Sequence, residues 1–120
     1  MSHLVTIDSK IYDRTAVAAA CQRLGLAPPT HGTAELFSGQ VTGLLVRLPE
    51  WQYPVVIDTT SGSMQFDNFG GTWGNQVHLD RFLQRYEVEV ARLEGTKRGH
   101  RIVEEALQDG SIKVQIIEED

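Results

Sequence analysis

The chain has 120 residues, 41% of them hydrophobic, a formal net charge of −5 and one cysteine. That length predicts a single domain over residues 1–120 with a core large enough to need no staples, and the lone Cys21 excludes an intrachain disulfide framework. The first 60 residues hold 4 basic and 5 acidic groups and the last 60 hold 7 and 11, so neither half is the basic arm that non-specific nucleic-acid binding needs.

No apolar run reaches the length of about 20 residues that a membrane span requires. The start of the chain lacks a basic region followed by an apolar stretch, so no signal peptide is expected. The expected compartment is a reducing cytosol or its equivalent, and the protein is read as cytoplasmic.

In chain order, Leu4, Val5, Thr6 and Ile7 read as a strand. Asp13 is an N-cap candidate, because its carboxylate can accept from an early helical N–H. Val17, Ala20, Cys21 and Leu24 then fall on one helical face. Gly25 supplies a left-handed stop, and Pro28-Pro29 prevent resumption. Residues 28–40 show no clear period and read as a loop, with at most one short strand near Leu36-Phe37. Leu44, Val46 and Leu48 alternate as in a strand. Val55-Val56-Ile57 is β-branched throughout and predicts a strand buried on both faces. After a turn at Thr60-Ser61-Gly62, Met64 and Phe66 alternate with Gln65 and Asp67.

A glycine-rich loop follows: Phe69-Gly70-Gly71-Thr72-Trp73-Gly74. Beyond it Leu79, Phe82, Leu83, Tyr86, Val90 and Leu93 recur every three or four residues, the strongest helical signal in the chain. The predicted helix covers about residues 75–98, with Gly99 as its left-handed stop. Gly95 should weaken it by about 1 kcal/mol relative to Ala. The run Lys97-Arg98-Gly99-His100-Arg101 reads as a solvated helix end. Ile102, Val103 and Leu107 lead to a two-residue turn at Asp109-Gly110, and Ile112, Val114 and Ile116 return. Glu118-Glu119-Asp120 reads as a solvated tail. The predicted order is β-α-β-β-β-α-β-β: an α+β fold with one mainly antiparallel sheet of about five or six strands and two helices packed on it.

No catalytic constellation is present, and the residues call for no cofactor. The four histidines, His3, His31, His78 and His100, make no H-x-x-x-H pair, and one cysteine cannot build a structural zinc site, so no metal site is expected. Met1-Ser2-His3 could chelate nickel or copper through the free amine, amides and imidazole. Cys21, on an apolar face without a cationic neighbour, reads as a packed and inert thiol. The loop at Gly70, Gly71, Trp73 and Gly74, opening a helix, is the best small-ligand candidate, with Arg81 or Arg85 as partners for an anion. It lacks the lysine of a phosphate-binding loop, and packing by Trp73 explains the glycines equally well. Asp80, Arg81, Gln84, Arg85, Glu87 and Glu89 form the polar side of the long helix, with Arg85 and Glu89 attracting at i,i+4. Solvation and partner binding are both open for that side.

Three stretches together carry a resemblance: the opening Met-Ser-His-Leu-x-Thr-Ile; Phe82-Leu83-Gln84-Arg85-Tyr86; and Gly99-His100-Arg101-Ile102-Val103-Glu104-Glu105 followed by Asp109-Gly110-Ser111-Ile112. In order and spacing they resemble an uncharacterised family of cyanobacteria and red-algal-type plastid genomes, a hypothetical chloroplast reading frame, which is a domain of unknown function in other bacteria. The chain departs from the pattern where relatives have an acid-Trp-Trp-Gly run, because only Trp73 and Gly74 carry over. Glu-Val also replaces the small-aromatic pair after Arg85-Tyr86.

The resemblance implies a small companion of an AAA-type ATPase, an inference from gene neighbourhood. The expectation is therefore a non-enzymatic interaction or adaptor module with a protein partner, with Gly70, Gly71, Trp73, Gly74, Arg81, Arg85 and Tyr86 as ligand or partner residues. The alternative is a small-ligand or anion-binding protein using the glycine loop. A third possibility is self-association through an exposed edge of the C-terminal hairpin.

Overall fold

A computed structural model describes residues 4–118. Its elements are β1 (Val5–Asp8), α1 (Arg14–Arg23), β2 (Thr30–Leu36), β3 (Gly39–Val46), β4 (Val55–Asp58), β5 (Ser63–Phe66), α2 (Gln76–Lys97), β6 (Arg101–Ala106) and β7 (Ile112–Ile117), with a 3-10 turn over Phe69–Gly71 before α2. The fold is α+β, as the pattern predicts. Both helices begin and end where their signals stand. Asp13 Oδ1 accepts from Ala16 N, and Asn75 Oδ1 accepts from Val77 N. Gly25 and Gly99 follow the helices in left-handed conformation, with φ of 71° and 74°.

Five strands form an antiparallel sheet in the order β1-β5-β4-β3-β2. Val55, Val56 and Ile57 are all buried at its centre, which is what a continuous β-branched run predicts. One face of the sheet presents Leu44, Val46, Val55, Ile57, Met64 and Phe66 to both helices. The small residues Ala16, Val17, Ala20 and Cys21 let α1 approach closely, while Leu79, Phe82 and Tyr86 of α2 fill the remaining volume. The Tyr86 hydroxyl accepts from the N–H groups of Tyr12 and Asp13, at 3.1 Å each, and so fixes the entry to α1.

Three expectations are corrected. Residues 30–36 are a seven-residue strand rather than loop, paired with β3 from Thr30↔Leu45 to Leu36↔Gly39. Its buried positions are Ala34 and Leu36, which pack with Val56 on the sheet's second face. Alternation among Gly32, Ala34 and Leu36 is too slight in hydrophobicity to read as a strand. Next, β6 and β7 do not extend the main sheet but form a separate two-stranded one. Finally, their turn has three residues, not two: Leu107 N donates to Ser111 O, and Gly110 takes the left-handed position with φ of 88°.

The β2–β3 hairpin folds back over the second face. Its base pairs with β4 through Leu44, Leu45 and Val46. Its tip nevertheless meets the opposite end of the sheet, where the Phe37 ring lies 5.2 Å from that of Trp73 and Ser38 donates to Asp67. The bend falls where Gly32 pairs with Gly43. A Cβ on Gly43 would lie 2.7 Å from the Ile57 carbonyl oxygen and 2.9 Å from Val56 Cγ1, so only glycine permits this approach.

The C-terminal hairpin covers the back of α2. Gly95 follows the core residue Tyr86 by nine positions, about two and a half turns, and so faces away from the sheet. A Cβ there would meet Ile102 Cδ1 of β6 at 2.4 Å. The helix-weakening glycine is thus the seat of the hairpin. An isolated two-stranded hairpin is marginal in water, so this packing is what holds it. Replacing Gly95 with Leu should detach it: the amides of β6 and β7 should lose hydrogen-exchange protection by tenfold or more (about 1.4 kcal/mol), while β3 to β5 keep theirs. Unchanged protection in β6 and β7 would show that other contacts hold the hairpin.

Candidate functional site

The glycine loop connects β5 to α2, and its geometry is set by Asn68. The Asn68 carbonyl accepts from Gly71 N at 3.0 Å and from Trp73 N at 2.9 Å, and its side-chain amide donates to Gly74 O at 3.3 Å. Thr72 N donates to Phe69 O and Gly74 N to Gly71 O. Four consecutive N–H groups, 71 to 74, therefore have internal acceptors and are not directed at a ligand. Gly70 and Gly71 provide positive φ angles of 61° and 103° in open space. Gly74 serves close packing instead, since a Cβ on it would lie 2.3 Å from the Trp51 ring. Trp51 in turn donates Nε1–H to Asn75 O and meets Phe66 edge-on.

Trp73 is the centre of an aromatic cluster. Phe69 stacks on it at 4.8 Å, Phe37 lies tilted at 5.2 Å and Tyr53 meets it edge-on at 5.6 Å. The outer members are open to solvent, Phe37 59% and Phe69 41% exposed. Beneath the hairpin tip lies Asp67, which is fully buried. Its Oδ2 receives the Ser38 hydroxyl at 3.4 Å and its Oδ1 has no hydrogen-bond partner. Alternation along β5 sets Asp67 among the polar positions; the hairpin folding back over that face is what buries it.

The residues singled out from sequence are not gathered into one site. Gly70, Gly71, Trp73 and Gly74 lie before α2. Arg81 is exposed and borders two surface clefts, one of about 130 Å³ with Leu24, Leu26, Pro49 and His78, the other with the turn at Asp109 and Ser111. Tyr86 is in the core. Arg85 belongs to an ion network joining α1, α2 and β6. It pairs with Glu104 and lies 3.4 Å from Glu89, the expected i,i+4 attraction. Arg23 lies 3.3 Å from Glu89, and Arg92 also pairs with Glu104. Glu89 is not on a solvated face: it is only 2% exposed, because α1 and the C-terminal hairpin close over it.

Among the described residues no group of histidine, cysteine and acidic side chains could hold a metal, and no helix is long and apolar enough to cross a membrane. The Met1-Ser2-His3 chelate lies outside the described residues, as do the last two residues of the acidic tail. Burial pushes the Cys21 thiol up to about 11. The Thr60 N–H, with the Ser61 side chain, holds the exposed Asp58 carboxyl below its ordinary value and orders the β4–β5 turn.

No protein-family model matches the chain, and no curated protein or solved structure matches it. What defines the protein is therefore its own α+β architecture and the cluster that the hairpin tip and glycine loop build together.

That cluster was largely hidden from sequence reading. Phe37, Tyr53 and Phe69 carry no motif. The available signal is placement: six of the nine aromatic residues, Tyr12, Phe37, Trp51, Tyr53, Phe69 and Trp73, fall outside the predicted helices and regular strands, where no periodic core demands them.

Two measurements check this account. Gly74→Ala should lower stability by about 2 kcal/mol through overpacking on Trp51, whereas Gly70→Ala should cost only about 1 kcal/mol of backbone strain. Equal losses in denaturant titration would contradict the distinction. The Cys21 thiol should be nearly inert in the native state, since with a value of about 11 only about a thousandth is thiolate at pH 8. Its reaction with a disulfide reagent should appear only on unfolding; rapid native labelling would place it in a different environment.

Proposed function

We propose that the chain is a small non-enzymatic interaction module, an adaptor that binds a protein partner through the surface formed by the β2–β3 tip and the glycine loop. The observation that carries this reading is the exposure of Phe37 and Phe69 around Trp73. Aromatic side chains left in contact with water at one place are typical of the anchors of protein interfaces. The internal bonding of loop N–H groups 71 to 74 weighs against the alternative, an anion or small-ligand site at the same loop. The resemblance noted in the sequence supplies the specific partner: an AAA-type ATPase in a reducing, cytoplasmic compartment.

Co-purification from native lysate tests the reading. Tagged wild-type protein should recover an AAA-type ATPase. The Phe37→Ser/Phe69→Ser double variant should lose it while keeping its melting temperature within a few degrees, because neither ring is part of the buried core. A chain that elutes alone at its monomer mass, or an ATPase retained by the double variant, would remove the support.

A further inference from the structure

The folded-back hairpin leaves a fork in the main sheet. β3 pairs with β4 from Val46↔Val55 to Leu44↔Ile57 and departs at Gly43, whereas β4 runs one residue further, to Asp58, before the turn into β5. The divergence opens a cleft of about 320 Å³ between Thr42 on one side and Asp58, Thr59 and Thr60 on the other, with the buried Gly43, Leu44 and Ile57 at its base. Alternation decides which face it opens on. Leu44 and Ile57 belong to the core beneath the helices; His31 lies opposite Leu44, and Thr42 two residues before it, so both share that face. Arg14, the first residue of α1, completes the lining. Among the described residues neither the Arg14 guanidinium nor the His31 imidazole has a hydrogen bond or ion pair. The opposite wall is ordered in advance, because Asp58 Oδ1 accepts from Thr60 N at 2.9 Å and from Ser61 N at 3.4 Å. Those bonds also keep Asp58 ionised. Thr42 Oγ1 is oriented by Thr33 Oγ1 at 2.7 Å and, as a hydroxyl, retains further hydrogen-bonding capacity.

We propose that this fork binds a small hydroxylated carboxylic acid. Arg14 takes the carboxylate, since the planar guanidinium donates to both oxygens at once. His31, Thr42, Thr59 and Thr60 hydrogen-bond the hydroxyl groups of the ligand. The Asp58 charge opposes a second negative charge, so a carboxylate fits better than a phosphate dianion. The volume is at the low end for ligand pockets, roughly 300–1,000 Å³, which limits the ligand to a few carbons. The fork stands at the Ser63 end of β5 and the glycine loop follows its Phe66 end, so this site is separate from the aromatic surface and independent of the interaction-module reading.

Heteronuclear NMR titration of the full chain with lactate, glycerate and gluconate tests the proposal, with glycerol, glycerol 3-phosphate and inorganic phosphate as comparisons. At least one of the acids should shift the amides of Arg14, Thr42, Gly43, Thr59 and Thr60 saturably. Glycerol should shift none of them, and the phosphates should bind at least about threefold more weakly. Arg14→Met should weaken binding of the acid about tenfold and Arg14→Lys about threefold, because an ammonium keeps the charge but not the planar fork. Arg81→Met, the loss of an exposed arginine on α2, should leave it unchanged. Both Arg14 variants should melt within a few degrees of the wild type, since the side chain makes no internal bond. No saturable shift with any of the acids, or shifts indifferent to Arg14→Met, would overturn the site. Tighter binding of a phosphate than of every acid would overturn the choice of a carboxylate.

Discussion

The structure depends on α2 being covered on opposite sides. Leu79, Phe82 and Tyr86 face the five-stranded sheet, and Gly95, turned away from them, faces Ile102 of the C-terminal hairpin. Between these faces lies Glu89, held by Arg23 of α1 and by Arg85, which also reaches Glu104 of β6. A buried carboxylate with arginines from separate elements need not add much net stability, because desolvation offsets most of the attraction. Arg85 and Arg92 also pair with Glu104 of β6, so the same network ties the hairpin to α2. Helix, sheet and hairpin are therefore mutually dependent through one element.

The second organising feature is the folded-back β2–β3 hairpin. Without it, Val56 and Leu45 would lie on an open sheet face. With it, that face closes over Ala34 and Leu36, and the tip is delivered to the glycine loop. The bend needs the missing side chain at Gly43, so a single close backbone approach connects the sheet's far edge to the candidate interaction surface. The glycine loop then acts as a rigid platform for Trp73, with Asn68 bonding three of its groups and Gly74 seated against Trp51. Rigidity of this kind suits recognition, since rings already held in place lose little further freedom on binding.

Elements whose signals are local were legible in the sequence. The α2 periodicity, the cap Asp13, the stops Gly25 and Gly99 and the β-branched Val55-Val56-Ile57 strand all depend on neighbours within a few residues, and each is found where its pattern stands. β2 was illegible because only Ala34 and Leu36 of its seven residues are buried and they pack on Val56, in a strand β2 does not pair with. The candidate site was legible only in part. Trp73 and the adjoining glycines marked a junction before α2, but Phe37 and Tyr53 arrive from segments far away in the chain. Arg85 and Tyr86 were marked out equally and serve the ion network and the entry to α1.

The sequence by itself determined the fold class, the helix boundaries, the buried central strand and the presence of a specialised glycine loop, because capping, periodicity and β-branching act over short distances. Tertiary structure alone decided which polar groups would be buried, as at Asp67 and Glu89, and which apolar rings would stay in water, as at Phe37 and Phe69. Burial is a property of what covers a residue. Here the covers are two hairpins whose placement is fixed by close contacts at Gly43 and Gly95, positions where the sequence shows only the absence of a side chain.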